Sequence, residues 1–95
     1  MKERTIHVGD AIDQAVAEIR ALKRTDVITL DLEWNALWKK PITELTALID
    51  AVEGTGITHI NLEGNSFGNK STEELVILFG ALKKTDLALI CWTPS

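Results

Sequence analysis

Apolar residues fall at two spacings along this chain, and the two spacings alternate. In 11–27, 41–57 and 71–87 they recur every three or four positions: Ile12, Ala15, Val16, Ile19 and Leu22; Ile42, Leu45, Leu48, Ile49 and Val52; Leu75, Leu78, Phe79 and Leu82. Such a stripe predicts a helix with one buried face in each segment. After each segment the rhythm shortens to every second residue, in VITLDL (27–32), ITHINL (57–62) and LALICW (87–92). Alternation predicts short strands that turn Leu30, Leu32, Ile60, Leu62, Ile90 and Trp92 inward and leave the residues between them facing solvent. Local signals agree with the helices. Ser71 and Glu74 spell the S-x-x-E capping box, Pro41 suits a first helical turn, and Asp10 can cap the first helix.

The pattern repeats at an offset of 30 without a gap: Val27 aligns with Ile57, Leu30 with Ile60, Leu32 with Leu62, Asn35 with Asn65, and Leu37 with Phe67. Ala21, Ala51 and Ala81 coincide in the same register, as do Thr25, Thr55 and Thr85. The alanines predict a close approach of helix and sheet, and the threonines lie in the turn from helix to strand. A fixed period of this length marks a solenoid, in which each unit buries its apolar face only against its neighbours. One helix and one strand per unit predicts parallel strands on one side and helices on the other. The expected fold is therefore α/β, a short solenoid in a single domain over 1–95, with the period running over 11–95. Subtracting 30 from the first match lands on Lys2 and Thr5. Lys2 takes an inward Leu position and Thr5 the Asn position, so the strand signature is lost there and 1–10 is expected to be a degenerate N-terminal cap with a short extended piece at 5–8 (TIHV).

VITLDLEWNAL (27–37) and ITHINLEGNSF (57–67) each match L-x-x-L-x-L-x-x-N-x-L with apolar substitutions. The chain thus resembles the leucine-rich repeat family. Its long helical segments and its period look like the ribonuclease-inhibitor-like branch, and its style is similar to leucine-rich repeat effectors of intracellular bacterial pathogens. The resemblance implies that Asn35 and Asn65 turn inward at the strand ends and hydrogen-bond adjacent turns as a ladder. It also implies that the solvent face of the sheet is a partner-binding surface. Adding 30 to Asn65 reaches Ser95, the last residue, so the final strand is expected to present an uncovered edge. Leu87, Leu89, Cys91 and Trp92 are then candidates for pairing with another copy as a homodimer. The alternatives are a fragment of a longer repeat protein whose further units covered that end, or the tail 93–95 folding over it.

Composition narrows the partners. Ninety-five residues suffice for one modest core, and a net charge of −4 with 45% hydrophobic residues reads as a folded acidic domain. Without clustered Lys and Arg the chain is a poor ligand for nucleic acid. It has neither an apolar run long enough for a membrane span nor the apolar region of a cleaved signal peptide. Cys91 is the single cysteine, which excludes an intramolecular disulfide and suits a reducing compartment. The expected location is cytoplasmic, or a host cytosol reached without a Sec-type signal.

Alternation aligns three columns on the sheet face: Thr29, His59, Leu89; Asp31, Asn61, Cys91; and Glu33, Glu63, Thr93. As a recognition patch, Asp31, Glu33 and Glu63 would meet a basic partner surface, with Asn61 between them and His59 adding pH sensitivity. Trp34 and Trp38 flank the first asparagine and align with Gly64 and Gly68, so the repeat does not require them. They are candidate apolar anchors. Against these stand a plain solvated face and tryptophans that merely shield their turns. An enzymatic reading would use Asp31, His59 and Glu63 as a metal or acid/base set, giving a metal-dependent hydrolase. No H-E-x-x-H or Cys/His spacing supports it, His7 falls in another column, and EGTG (53–56) sits at a helix end rather than a helix start. Cys91 has no basic partner in its own strand to activate it as a nucleophile. The expected function is protein–protein recognition, with no catalysis, cofactor or metal.

Overall fold

The computed structural model describes residues 2–93 of the chain. In order these form β1 (Lys2–Thr5), α1 (Ile12–Arg20), β2 (Val27–Asp31), α2 (Ile42–Asp50), β3 (His59–Asn61), α3 (Thr72–Lys83) and β4 (Leu89–Cys91), with 3-10 turns at Leu37–Lys39 and Phe67–Asn69. The four strands make one parallel sheet in sequence order, and α2 packs between α1 and α3. The molecule is thus a small mixed α/β domain. One apolar cluster joins the strand residues Leu30 and Ile60, and Leu32 and Leu62 just beyond their strands, to helix residues Ile19, Leu45, Leu48, Ile49, Leu78 and Leu82.

The register of the sheet keeps the sequence offset. Thr29, His59 and Leu89 stand side by side, as do Leu30, Ile60 and Ile90, and Asp31, Asn61 and Cys91. The threonine column explains how each helix hands over to the next strand. Thr25, Thr55 and Thr85 each donate the hydroxyl to the carbonyl three residues back and accept the N–H two residues ahead. Each therefore closes the last turn after the helix and fixes the approach to the next strand in one side chain. The alanine column is less uniform than its alignment suggests: Ala51 is buried, Ala81 half-buried and Ala21 exposed. Only Ala51 has helices packed on both sides of its own.

Helix starts divide in the same way. Ser71 accepts from the Glu74 N–H, and the Glu74 carboxylate accepts from the Ser71 N–H, so the capping box is formed. Pro41 occupies the cap position itself, one residue before α2. Asp10 does not cap α1. Ala11 holds that position, with no side-chain hydrogen bond to the first turn.

Residues 1–10 depart from expectation more instructively. Strand β1 begins at Lys2 and pairs with β2 through Glu3↔Thr29, Arg4↔Leu30 and Thr5↔Asp31. The offset here is 26, so the first unit is four residues shorter than the others and a subtraction of 30 misses it. Ile6 takes the inward place beside Leu32, donating its N–H to the Asp31 carbonyl at 3.1 Å, and is buried. Every side chain of β1 is exposed and Lys2, Glu3 and Arg4 are charged, which blunts the sheet's first edge.

Candidate functional site

The floor of the candidate surface is set by the two asparagines. Asn65 is completely buried. Its Oδ1 accepts from the N–H of Asn35 at 2.8 Å and of Leu37 at 3.4 Å, and its Nδ2 donates to the carbonyls of Leu32 and Leu62, both at 2.9 Å. Asn35 repeats the arrangement one unit earlier: it accepts from the Val8 N–H and donates to the Ile6 and Leu32 carbonyls. The strand ends are thereby tied across three successive turns. The next position, Ser95, lies outside the described residues, as does Pro94 of the tail.

Above this floor the middle column does not face solvent as alternation predicts. Asp31 is 8% exposed, and its Oδ1 accepts the Glu33 N–H at 3.0 Å. Asn61 is half-buried and holds the Glu63 N–H in the same way, also at 3.0 Å. Both side chains fold back on their own backbone as the strand exits into its turn, the behaviour that makes Asp and Asn turn formers. Asp31 is therefore a turn-building residue rather than a free contact. The outer column, Glu33 and Glu63, is half-buried, and Glu33 Oε2 accepts from Asn61 Nδ2 at 3.3 Å. His59 is half-buried and shares a hydrogen bond of 2.8 Å between its Nδ1 and the Thr58 hydroxyl.

Trp34 projects from the same turn. It is 76% exposed, and its backbone lies in the left-handed region at φ 57°. The aligned residue, Gly64, has φ 73°, so the turn requires a conformation that suits glycine, and the first unit places a tryptophan there. The indole lies on Gly64 so closely that a Cβ there would fall 2.5 Å from the ring. One face of the indole covers the neighbouring turn and most of the ring stays open. Trp38 is less open, at 37%, with Lys39 Nζ 5.7 Å from its ring centroid and its own N–H donated to the Asn65 carbonyl.

A pair of lysines escaped the sequence reading. Lys70 Nζ donates to the Lys40 carbonyl, and Lys40 Nζ donates to the Gly9 carbonyl, so each lysine crosses to the preceding unit where the chain turns into a helix. The Lys70 side chain is only 7% exposed and also reaches Glu74 at 3.4 Å. The alignment of Lys40 with Lys70 at the offset of 30 was the available signal; two lysines in an acidic chain otherwise read as surface charge.

At the far end, Leu89 and Ile90 are exposed, Leu87 and Cys91 half-buried, and the Trp92 ring meets Phe79 edge-on at 5.3 Å. Ile90 and Trp92 therefore do not reach the inward burial of Ile60 and Leu62. An apolar groove of about 440 Å³ opens there between Phe79, Leu87, Ile90 and Trp92. Among the described residues, no group of three or more His, Cys, Asp or Glu side chains could hold a metal ion, and no helix is long and apolar enough to cross a membrane. Asp31 and His59 stand in different columns, with the Asp31 carboxylate already engaged by backbone. Comparison with protein-family models, curated proteins and solved structures returns no match.

Proposed function

We propose that the chain is a short leucine-rich-repeat-like solenoid serving as a protein–protein recognition module. The solenoid reading is supported by the retained offset of 30 from β2 to β4 and by the asparagines that tie one turn to the next. The recognition surface centres on Trp34, with Glu33 and Glu63 beside it as acidic guides for a basic partner surface.

Trp34 is the observation that carries this reading. A non-glycine residue in the left-handed region costs of order 1–3 kcal/mol; Arg24, Ala36 and Ser66 share that region, and Trp34 is set apart from them by its bulk and its open indole. Gly64 adopts the same turn without that penalty, and an indole left 76% exposed recovers little by burial. A rigid, open aromatic flanked by like charges is the composition of a binding anchor.

Immobilised wild-type chain, Trp34→Gly and a Glu33→Lys/Glu63→Lys double variant are compared by capture from cytosolic lysate with quantitative mass spectrometry. The expected result is a protein held by wild type and lost from both variants. Equal capture by all three, or none by wild type, would overturn the proposal.

A further inference from the structure

The C-terminal end of the molecule has the shape of a surface that, elsewhere in the same chain, is always covered. Ile49 and Ile60 are 2% and 1% exposed because α3 and β4 pack over them. Their equivalents thirty residues on, Phe79 and Ile90, are 38% and 37% exposed, and Val76 beside them is 64% exposed. The backbone repeats the point. The N–H groups of Leu32 and Leu62 donate outward to the carbonyls of Asn61 and Cys91 on the next strand, at 2.9 and 2.7 Å. By the same register the Trp92 N–H is aimed where a fifth strand would lie. The Trp92 indole N–H is also buried with no hydrogen-bond partner among the described residues.

From this we infer that a second copy of the chain covers this end, joined by a two-fold axis that sets β4 antiparallel to the partner's β4 and α3 antiparallel to the partner's α3. Two observations select that occupant. First, the opposite end cannot supply it: β1 is wholly exposed with charges at Lys2, Glu3 and Arg4, and Arg4 stands in register with Leu30, so head-to-tail stacking would bury Lys2 and Arg4 against apolar groups. Second, the C-terminal end is self-complementary. Residues 87–92 carry no charge, and antiparallel helices set the basic last turn of α3, at Lys83, against the acidic first turn of the partner's helix, at Glu73 and Glu74. A charged edge at one end and an apolar one at the other closes the assembly at two.

This dimer uses none of the residues assigned to recognition. Its test is light scattering coupled to gel filtration across micromolar concentrations, with amide hydrogen exchange at Trp92. Wild type is expected at twice the chain mass, with the Trp92 amide protected. Val76→Glu places an unpaired charge in the apolar face that the dimer buries, while touching no position buried within the chain. It is expected to return a monomer that still unfolds cooperatively, with that protection lost. A wild-type monomer throughout, a mass that grows past two copies, a dimer that survives Val76→Glu, or Trp92 protection equal in both proteins would each overturn the inference.

Discussion

Asn65 and Asn35 are joined across a full unit of the chain: the Asn65 Oδ1 accepts the backbone N–H of Asn35 at 2.8 Å. The contact makes the side chain of one unit part of the backbone hydrogen bonding of the unit before it. A buried asparagine in that position satisfies donors and acceptors that no water reaches.

Removing it should therefore be costly in proportion to burial. Asn65→Ala strands the Asn35 and Leu37 N–H groups and the Leu62 carbonyl around a completely buried side chain, while the Leu32 carbonyl keeps its bond from Asn35 Nδ2. With ~1–3 kcal/mol for each buried group left unpaired, the loss is expected to be a large share of the domain's total stability. Asn35 is half-buried at the outer turn, so Asn35→Ala should cost less. Urea unfolding of the two variants checks the order; equal midpoints would mean that the asparagines do not bind the units together.

The contrast between Asn35 and Arg4 shows what the sequence can and cannot disclose. Helices, strands, the capping box at Ser71 and the asparagine positions were legible because each rests on a local rule or on the offset of 30. The first strand was not, because the rule that found the others assumed a constant length and β1 lies at an offset of 26 from β2. Asp31 shows a second limit. Alternation assigns a side chain to a face, yet it does not say whether that side chain then turns back to hold the Glu33 N–H. Lys70 shows the same limit: only the assembled turn reveals that its ammonium group is anchored on the Lys40 carbonyl.

Trp34 and Gly64 occupy equivalent positions, so exchanging their residue types separates strain from function. Trp34→Gly removes the strained φ of 57° at the price of the indole's contact with Gly64. Its unfolding midpoint is expected to be unchanged or raised. Gly64→Ala keeps φ at 73° with a Cβ that displaces the indole, and should lose about 1–2 kcal/mol, the ordinary penalty for a left-handed L-residue. A large loss of stability in Trp34→Gly would make the indole a structural cover rather than an anchor.

The start of α3 should be sensitive to acid. Glu74 is held below its ordinary value of 4.5 first by the Ser71 N–H, then by the Ser71 hydroxyl, and further by Lys70. A carboxyl lowered on folding stabilises the fold above its unfolded pKa, and that contribution is lost as pH falls through the lowered value. Glu74→Gln retains the box geometry without a titrating group. The difference in urea midpoint between wild type and Glu74→Gln should therefore shrink as pH falls below the carboxylate range. Ser71→Ala, which removes the cap, should cost ~1 kcal/mol at neutral pH. A wild-type minus Glu74→Gln difference that is constant with pH would mean the box does not hold Glu74 in solution.

The acidic residues of the sheet face should divide by burial into two kinds of behaviour. Asp31 is 8% exposed and engaged by the Glu33 N–H, so Asp31→Lys forces a cation into a site built to accept a hydrogen bond. It should lower the unfolding midpoint and reduce binding only through the folded fraction. Glu33 and Glu63 are half-buried at the outer column, where charge meets solvent at low cost. The Glu33→Lys/Glu63→Lys variant should unfold near the wild-type midpoint while losing the partner, because reversing two charges turns attraction to a basic surface into repulsion. Added salt distinguishes the mechanisms. Screening should weaken wild-type capture and narrow the gap to the double variant, since exposed charges act across a Debye length that shrinks with ionic strength. If Asp31→Lys instead kept full stability and abolished capture, the turn bond at Asp31 would be dispensable and the recognition surface would lie in the middle column.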